Sequence, residues 1–311
     1  MHLIVYVTVY VLLAIFLGSA IFVHFRGKVR HKFFRQLSDH STFMAPYNAF
    51  VYLFSKIKNR PFLDQKDFPE LASLRDHWQT IRDEALRLYE AGHIATSQTN
   101  SDLAFNSFFK RGWKRFYLKW YDDMLPSAKT LCPQSVALVQ SIPSVNAALF
   151  ALLPPRSKLG AHRDPFAGSV RYHLGLMTPN SPDCRIYVDG TPYAWHDGED
   201  VLFDETYIHN VRNDTDQPRL ILFCDVERPM QPIARTINQF VARFIIKHTA
   251  AQNVPTEKVG ALNYVSRYIF KIKSAGEWLK HKNRRLFKTT DLAIKIGVVG
   301  LVLFLILHHR R

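Results

Sequence analysis

Cysteine is scarce: the 311-residue chain has three, Cys132, Cys184 and Cys224, and none lie at a C-x-x-C spacing. That excludes a disulfide framework and a thiolate zinc site, and it predicts reduced thiols in a reducing compartment. Internal repeats and Gly/Ser-rich linkers are missing as well. With 13 Gly, 16 Pro and 47% hydrophobic residues, the chain is not collagenous, low-complexity or disordered. Its length suffices to bury a full core in one or two domains.

The middle of the chain lacks net charge. Residues 61–270 carry 23 basic and 23 acidic side chains, so the overall +15 belongs to the ends, +7 in residues 1–60 and +8 in residues 271–311. A nucleic-acid enzyme carries its basic face on the folded domain, so no nucleic-acid partner is expected.

Residues 3–23 hold no charge at all. As a helix at ~1.5 Å per residue they reach about 32 Å, enough for a bilayer core of about 30 Å. Gly18-Ser19-Ala20 is similar to a signal-peptide cleavage site, but no basic n-region precedes the run, and the run exceeds the ~7–15 residues of an h-region. A retained transmembrane helix over residues 1–25 is the expectation. Arg26, Lys28, Arg30, Lys32 and Arg35 open a basic juxtamembrane segment, 26–60, and the positive-inside rule then puts the body in the cytoplasm. At the other end residues 296–307 are apolar behind Lys280, Lys282, Arg284, Arg285 and Lys288, and Lys295 shortens the run. This C-terminal membrane segment, 291–311, either spans or lies in the interface. Residues 233–290 read as a basic, membrane-proximal helical region with Phe240, Phe244, Tyr264, Tyr268, Phe270 and Trp278, suited to anionic lipid. Residues 61–232 remain as the central folded domain.

Within that domain, residues 68–90 place Leu71, Leu74, Trp78, Ile81, Ala85 and Leu88 at helical spacing and predict one amphipathic helix. Trp113, Phe116, Tyr117 and Trp120 read as core packing. From residue 170 the period changes to that of strands: 170–176, 184–188, 200–203 and 219–226, with Asp189-Gly190 and Asp197-Gly198 at turns. Short strands with frequent turns predict a jelly-roll sandwich or barrel.

His162-Arg163-Asp164 and His209 sit on this frame. In an extended segment His162 and Asp164 project from one side, and two imidazoles with one carboxylate form the facial ligand set of non-haem Fe(II). With 14 His in the chain, an H-x-D pair alone carries little weight. Arg219 adds to it: alternating with Ile221 and Phe223, it points inward, where a guanidinium needs an anion. No acid shares its strand face before Asp225, so a bound carboxylate fits. Taken alone, His173 is equally readable as a satisfied core histidine and Arg171 as a buried ion-pair partner. Asp204 and Glu205 read as a polar turn before His209.

His162-Arg163-Asp164, Val170-Arg171-Tyr172-His173-Leu174-Gly175-Leu176, the run Leu202-Phe203-Asp204-Glu205-Thr206-Tyr207-Ile208-His209 and Arg219-Leu220-Ile221-Leu222 together resemble the aspartyl/asparaginyl β-hydroxylase family, over about residues 145–230. The resemblance implies a mainly β catalytic core, a double-stranded β-helix (jelly roll, cupin-like), with flanking α-helices and terminal transmembrane helices. It implies an Fe(II)/2-oxoglutarate dioxygenase that also uses O2, with His162, Asp164 and His209 as metal ligands. Arg171 and His173 would contact 2-oxoglutarate at its metal-binding end and Arg219 its distal carboxylate. A family Ser falls near Ala151, where no hydroxyl exists. The layout is similar to the bacterial lipid A acyl-chain 2-hydroxylase branch, implying hydroxylation of a secondary acyl chain of lipid A, a lipopolysaccharide precursor, at the cytoplasmic face of the inner membrane. A membrane-anchored peptidyl aspartyl/asparaginyl β-hydroxylase and a non-catalytic, cupin-like lipid-binding protein are the alternatives.

Overall fold

The computed structural model describes residues 2–37, 39–94, 112–249 and parts of 252–293. The expected C-terminal membrane segment and most of the region around Tyr264, Tyr268 and Phe270 lie outside the described residues.

Among the described residues, ten strands form two sheets. β1 (Lys114–Trp120), β2 (Asp123–Met124), β3 (Val145–Leu153), β5 (Ser169–Met177), β8 (Asp200–Phe203) and β10 (Arg219–Glu227) make a six-stranded sheet in the order β2-β1-β3-β10-β5-β8. β4 (Ser157–His162), β6 (Cys184–Val188), β7 (Thr191–Ala194) and β9 (His209–Asn213) make a four-stranded sheet in the order β4-β9-β6-β7. Every strand pairing is antiparallel. From β3 onward the chain passes repeatedly between the sheets, which is the jelly-roll pattern. The fold class is the expected one: a mainly β, cupin-like core with flanking helices.

Both faces of the large sheet are covered, so β10 is buried along its whole length and reads as a nearly continuous apolar run. One face carries Phe116, Leu118, Phe150, Leu174, Leu220 and Leu222, against helices Trp78–Glu90 and Pro133–Gln140. Neighbouring residues alternate sides, so Arg171, His173, Phe223, Asp225 and Arg219 share the other face. Asp189 and Gly190 both adopt positive φ between β6 and β7, as a two-residue hairpin turn requires.

The helix expected over 68–90 is segmented. A 3-10 turn, Pro69–Leu71, and a short helix, Ala72–Asp76, precede Trp78–Glu90, with a break at His77, whose Nδ1–H donates to Ser73 O (2.8 Å). The apolar spacing still serves burial, because Leu71, Leu74, Ile81, Ala85 and Leu88 all join one core. The aromatic stripe is core, as expected, and its centre lies on strand β1.

The N-terminal helix, His2–Phe25, is the one described helix long and apolar enough to cross a membrane, over Ile4–Phe25. From the segment that follows, Arg26, Arg35, His40 and Asn48 bond to the sandwich domain. Helix Ala45–Leu53 lies against the N-terminal helix, and Asn48 donates to Pro165 O (2.9 Å) and accepts from Ala167 N (3.0 Å).

Candidate active site

His162 ends β4, His209 begins β9, and the two are cross-strand partners. Their rings lie 4.2 Å apart between centroids. A bulge between Leu159 and His162 re-aims the end of β4, as bulges beside sites commonly do. Asp164 follows in extended chain, pinned by its own N–H to Glu205 O (3.0 Å). Its Oδ1 comes within 3.6 Å of His162 Nε2. One donor atom from each of His162, Asp164 and His209 lies within 4.8 Å of the others, a spacing that one metal ion can bridge.

Local hydrogen bonds set the tautomers. His162 Nδ1–H donates to Gly160 O (2.9 Å) and His209 Nδ1–H to Tyr207 O (3.0 Å), so each Nε2 keeps its lone pair. Burial, and then His162, pull the His209 pKa down to about 4, so that ring is neutral at pH 7. Burial opposes ionisation of Asp164, but Arg171, His209 and His162 outweigh it and hold the carboxyl well below its ordinary value.

Arg171 is enclosed by carboxylates. Its Nη2 lies 2.7 Å from Asp164 Oδ2 and also meets Glu205, while Nη1 donates to Asp225, its partner across β5 and β10. Arg171 thus has the partners that a buried ion pair needs, and the guanidinium orients a candidate ligand. The cosubstrate contact implied by the resemblance is a separate role that these ion pairs do not exclude.

Arg219 is the opposite case. It is fully buried, and its Nε, Nη1 and Nη2 have no hydrogen-bond partner among the described residues. Aromatic faces meet it instead, Trp195 at 4.3 Å and Trp113 at 5.1 Å. Burial pulls its pKa down to about 10, still far above neutrality. An uncompensated buried guanidinium is costly, so its chemistry asks for an anion with two oxygens. Between the two arginines stands His173, stacked on Phe223 (5.0 Å), with no hydrogen bond to either ring nitrogen among the described residues. Burial first, then Arg219, Arg171 and His209, lower its pKa well below the usual value, which makes it a neutral donor or acceptor. Ala151 lies on the same face opposite Ile221, buried and without a hydroxyl.

Sequence reasoning passed over two groups. Asp204 and Glu205 form a turn, but both are buried: Asp204 accepts from Arg26 (2.6 Å) and Arg228 (2.7 Å), and Glu205 from Ser169 (3.0 Å). The other is Arg163, the middle residue of H-x-D, which points away from its neighbours and donates to Val23 O and Arg26 O (3.2 Å) at the end of the N-terminal helix. Around it, Arg35 donates to Ala161 O (2.6 Å), His40 to Arg163 O (2.6 Å), and Lys28 N and Val29 N donate to Asp189 (2.7 and 2.8 Å). Gly27 at φ +87° permits the turn; a Cβ there would lie 2.6 Å from Asp189 Oδ1. The exit of the apolar helix is thus clamped onto the two segments that carry the triad. The signal for this was the alternation itself: if His162 and Asp164 face the site, Arg163 faces something else.

The sequence profile of the aspartyl/asparaginyl beta-hydroxylase family matches residues 75–229. An ornithine lipid ester-linked acyl 2-hydroxylase of Rhizobium tropici is 33% identical over 187 residues, covering 60% of this chain and 66% of that protein. Human aspartate beta-hydroxylase domain-containing protein 2 is 28% identical over 165 residues, 50% of this chain and 44% of that one. Human aspartyl/asparaginyl beta-hydroxylase is 24% identical over 211 residues, 65% of this chain and 27% of that one. A solved Pseudomonas putida prolyl-4-hydroxylase aligns with a TM-score of 0.34 at 17% identity, over 49% of this chain and 87% of that one. The chain belongs to the aspartyl/asparaginyl β-hydroxylase family. It spans just under two thirds of the ornithine lipid enzyme and less than half of the two human proteins.

Proposed function

We propose that this protein is an Fe(II)/2-oxoglutarate-dependent hydroxylase that acts at a membrane surface on the 2-position of a lipid acyl chain. The observation that carries the reading is that the two sheets bring together a His-Asp-His donor set, at β4 and β9 of the small sheet, and on β10 of the large sheet a fully buried guanidinium, Arg219, unpartnered among the described residues. The residues fit the implied groups. Two imidazoles and one carboxylate suit Fe(II), and Arg219 between two tryptophans suits the far carboxylate of a small dicarboxylic acid. When bound, iron with 2-oxoglutarate and O2 supplies insertion of one oxygen atom into a C–H bond, releasing succinate and CO2.

The chain's own residues then have distinct tasks. His162, Asp164 and His209 hold the metal, and Arg171 keeps Asp164 ionised and aimed. Arg219 fixes the distal carboxylate through a two-pronged ion pair. His173, neutral and within electrostatic reach of both ends, orients the cosubstrate between them. Trp113, Trp195, Phe203 and Phe223 exclude water around these groups.

Lipid rather than peptide is favoured by the apolar N-terminal helix clamped against the triad and by similarity to an enzyme named for an ornithine lipid acyl chain. Lipid A is the substrate we propose, at a secondary acyl chain and on the cytoplasmic face of the bacterial inner membrane, where the basic flank of the helix attracts anionic lipid. Ornithine lipid is the second reading, and it rests on that 33% identity. Mass spectrometry of lipids from cells with and without the protein tests the choice. One added oxygen, about 16 mass units, should appear on lipid A and vanish in His209→Ala. The same increment on ornithine lipid alone establishes the second reading, and on a peptide Asp or Asn it refutes both.

A further inference from the structure

Helix Pro232–Phe244 presents three different faces. Ala234, Asn238 and Ala242 face the body, where the Asn238 amide donates to Gly168 O (3.0 Å) and accepts from Tyr47. A polar arc follows: Arg235 pairs with Glu227 (2.9 Å), and Arg243 lies 3.5 Å from Asp122. The third face is apolar and exposed. Ile233, Ile237, Phe240 and Phe244 recur at i, i+4, i+7 and i+11 and are 80, 42, 61 and 57% exposed. At 3.6 residues per turn they form one stripe, with the Phe240 and Phe244 rings 4.4 Å apart. A helix on a protein surface in water turns such a stripe toward the core, whereas here Ala234, Asn238, Ala242 and the half-buried Val241 occupy that side.

The stripe adjoins the apolar N-terminal helix through one intermediate layer. Gln231 N donates to Phe54 O (3.0 Å), Lys56 N donates to Pro229 O (2.8 Å), and Tyr47 reaches Asn238 from helix Ala45–Leu53. That helix packs on the N-terminal helix, with Phe22 and Tyr52 rings 6.1 Å apart. Leu53 and Phe54 on the intermediate layer, and Phe33 and Phe34 just beyond the helix exit, are exposed as well. Lys28, Arg30 and Lys32, exposed at that exit, supply the positive charge that anionic headgroups attract.

We propose that the stripe Ile233–Ile237–Phe240–Phe244 lies in the interfacial layer of the same bilayer that the N-terminal helix enters, and that the body rests on the membrane along it. The proposal depends on reading that helix as a membrane anchor. It adds a second attachment, on a different element, to a body whose triad segments are already clamped to the helix exit. Two attachments hold the site at one height and one tilt above the leaflet. An acyl chain then passes from lipid to metal site without crossing bulk water. A single flexible tether would leave that orientation free.

Depth-resolved fluorescence on the full chain tests this. Cysteine is introduced at Phe240 or Ile233 and, as a control, at Asp216, which lies in the turn joining the far ends of β9 and β10. The three native cysteines are buried and stay unlabelled. Each variant, carrying a polarity-sensitive thiol label, is reconstituted in phosphatidylethanolamine/phosphatidylglycerol vesicles. Labels at 240 and 233 are expected to emit at shorter wavelength, to lose most of their emission to brominated acyl chains and to resist aqueous iodide. The label at 216 should show the reverse. Iodide quenching at 240 and 233 in protein that resists alkaline carbonate overturns the proposal and leaves the anchor intact. Shielding from both quenchers overturns it in favour of a protein cover, either a second copy or residues 262–311. Release of the protein by carbonate removes the anchor, and the proposal with it.

Discussion

Arg171 and Arg219 are both buried on one face of the large sheet, yet they live in opposite electrostatic surroundings. Arg171 has three carboxylates within ion-pair reach; Arg219 has two tryptophans and, among the described residues, no acceptor. A guanidinium costs several kcal/mol to bury, and only the first has its compensation inside the described protein. Arg171 is therefore part of the scaffold that aims Asp164, while Arg219 stores a demand that a bound anion meets. On the proposed function, equal burial thus marks a structural residue in one place and a binding residue in the other.

The largest expected effect separates the two by stability. Arg171→Met leaves Asp164, Glu205 and Asp225 buried without their common counterion and should cost about 3–5 kcal/mol in urea unfolding. Arg219→Met removes an uncompensated buried charge and should be neutral or stabilising in the absence of cosubstrate. Equal losses in the two variants would erase the distinction.

A pH series on the metal-free protein sharpens it next. His209 titrates near pH 4 when folded and near its ordinary value of 6.5 when unfolded. Between those values the unfolded chain binds the extra proton, so stability is full above about pH 6.5 and falls as the pH drops toward about 4. The expected loss is about 3 kcal/mol, since each pH unit separating the two values corresponds to ~1.36 kcal/mol. His173, lowered in the same direction, adds to it. His209→Gln should flatten part of this slope, whereas Arg219→Met should leave it in place. A denaturant midpoint that does not move between pH 7 and about pH 4.5 would contradict this assignment.

The smallest effect is in binding. Arg219→Lys keeps the charge but loses the planar fork, and the apparent 2-oxoglutarate requirement should rise roughly 30- to 150-fold, about 2–3 kcal/mol. Succinate release against 2-oxoglutarate concentration measures it, and an unchanged requirement would make Arg219 a structural residue like Arg171.

Much of the site was legible in the chain because β-structure writes its faces with period two. His162 and Asp164 had to share a side, and Arg219 had to point inward with Ile221 and Phe223. Strands 184–188 and 200–203 were bounded by turn residues whose backbone demands are local, and they fall where the spacing placed them. The helix over 68–90 was less legible, because its apolar spacing reports burial and not the continuity of the backbone through His77. Asp204 and Glu205 looked like a solvated turn, since short-range chemistry cannot reveal that Arg26 and Arg228 converge on Asp204 from positions 178 and 24 residues away.

What the sequence by itself determined is therefore local: an apolar run long enough to cross a membrane, the alternation that puts a histidine and an aspartate on one side, and the turns between strands. Which partners the buried charges meet was decided by the tertiary structure. Arg171 and Arg219 look alike in sequence, each on an apolar strand, and the pairing of β5 with β10 brings Asp225 to the first and leaves the second among aromatic rings. The fold also decided that Arg163 grips the exit of the N-terminal helix and that helix Pro232–Phe244 turns its apolar stripe outward. The physical reason is range. Side-chain periodicity and backbone preference act within a few residues, whereas the cost of a buried charge or an exposed apolar face depends on whatever the folded chain brings beside it.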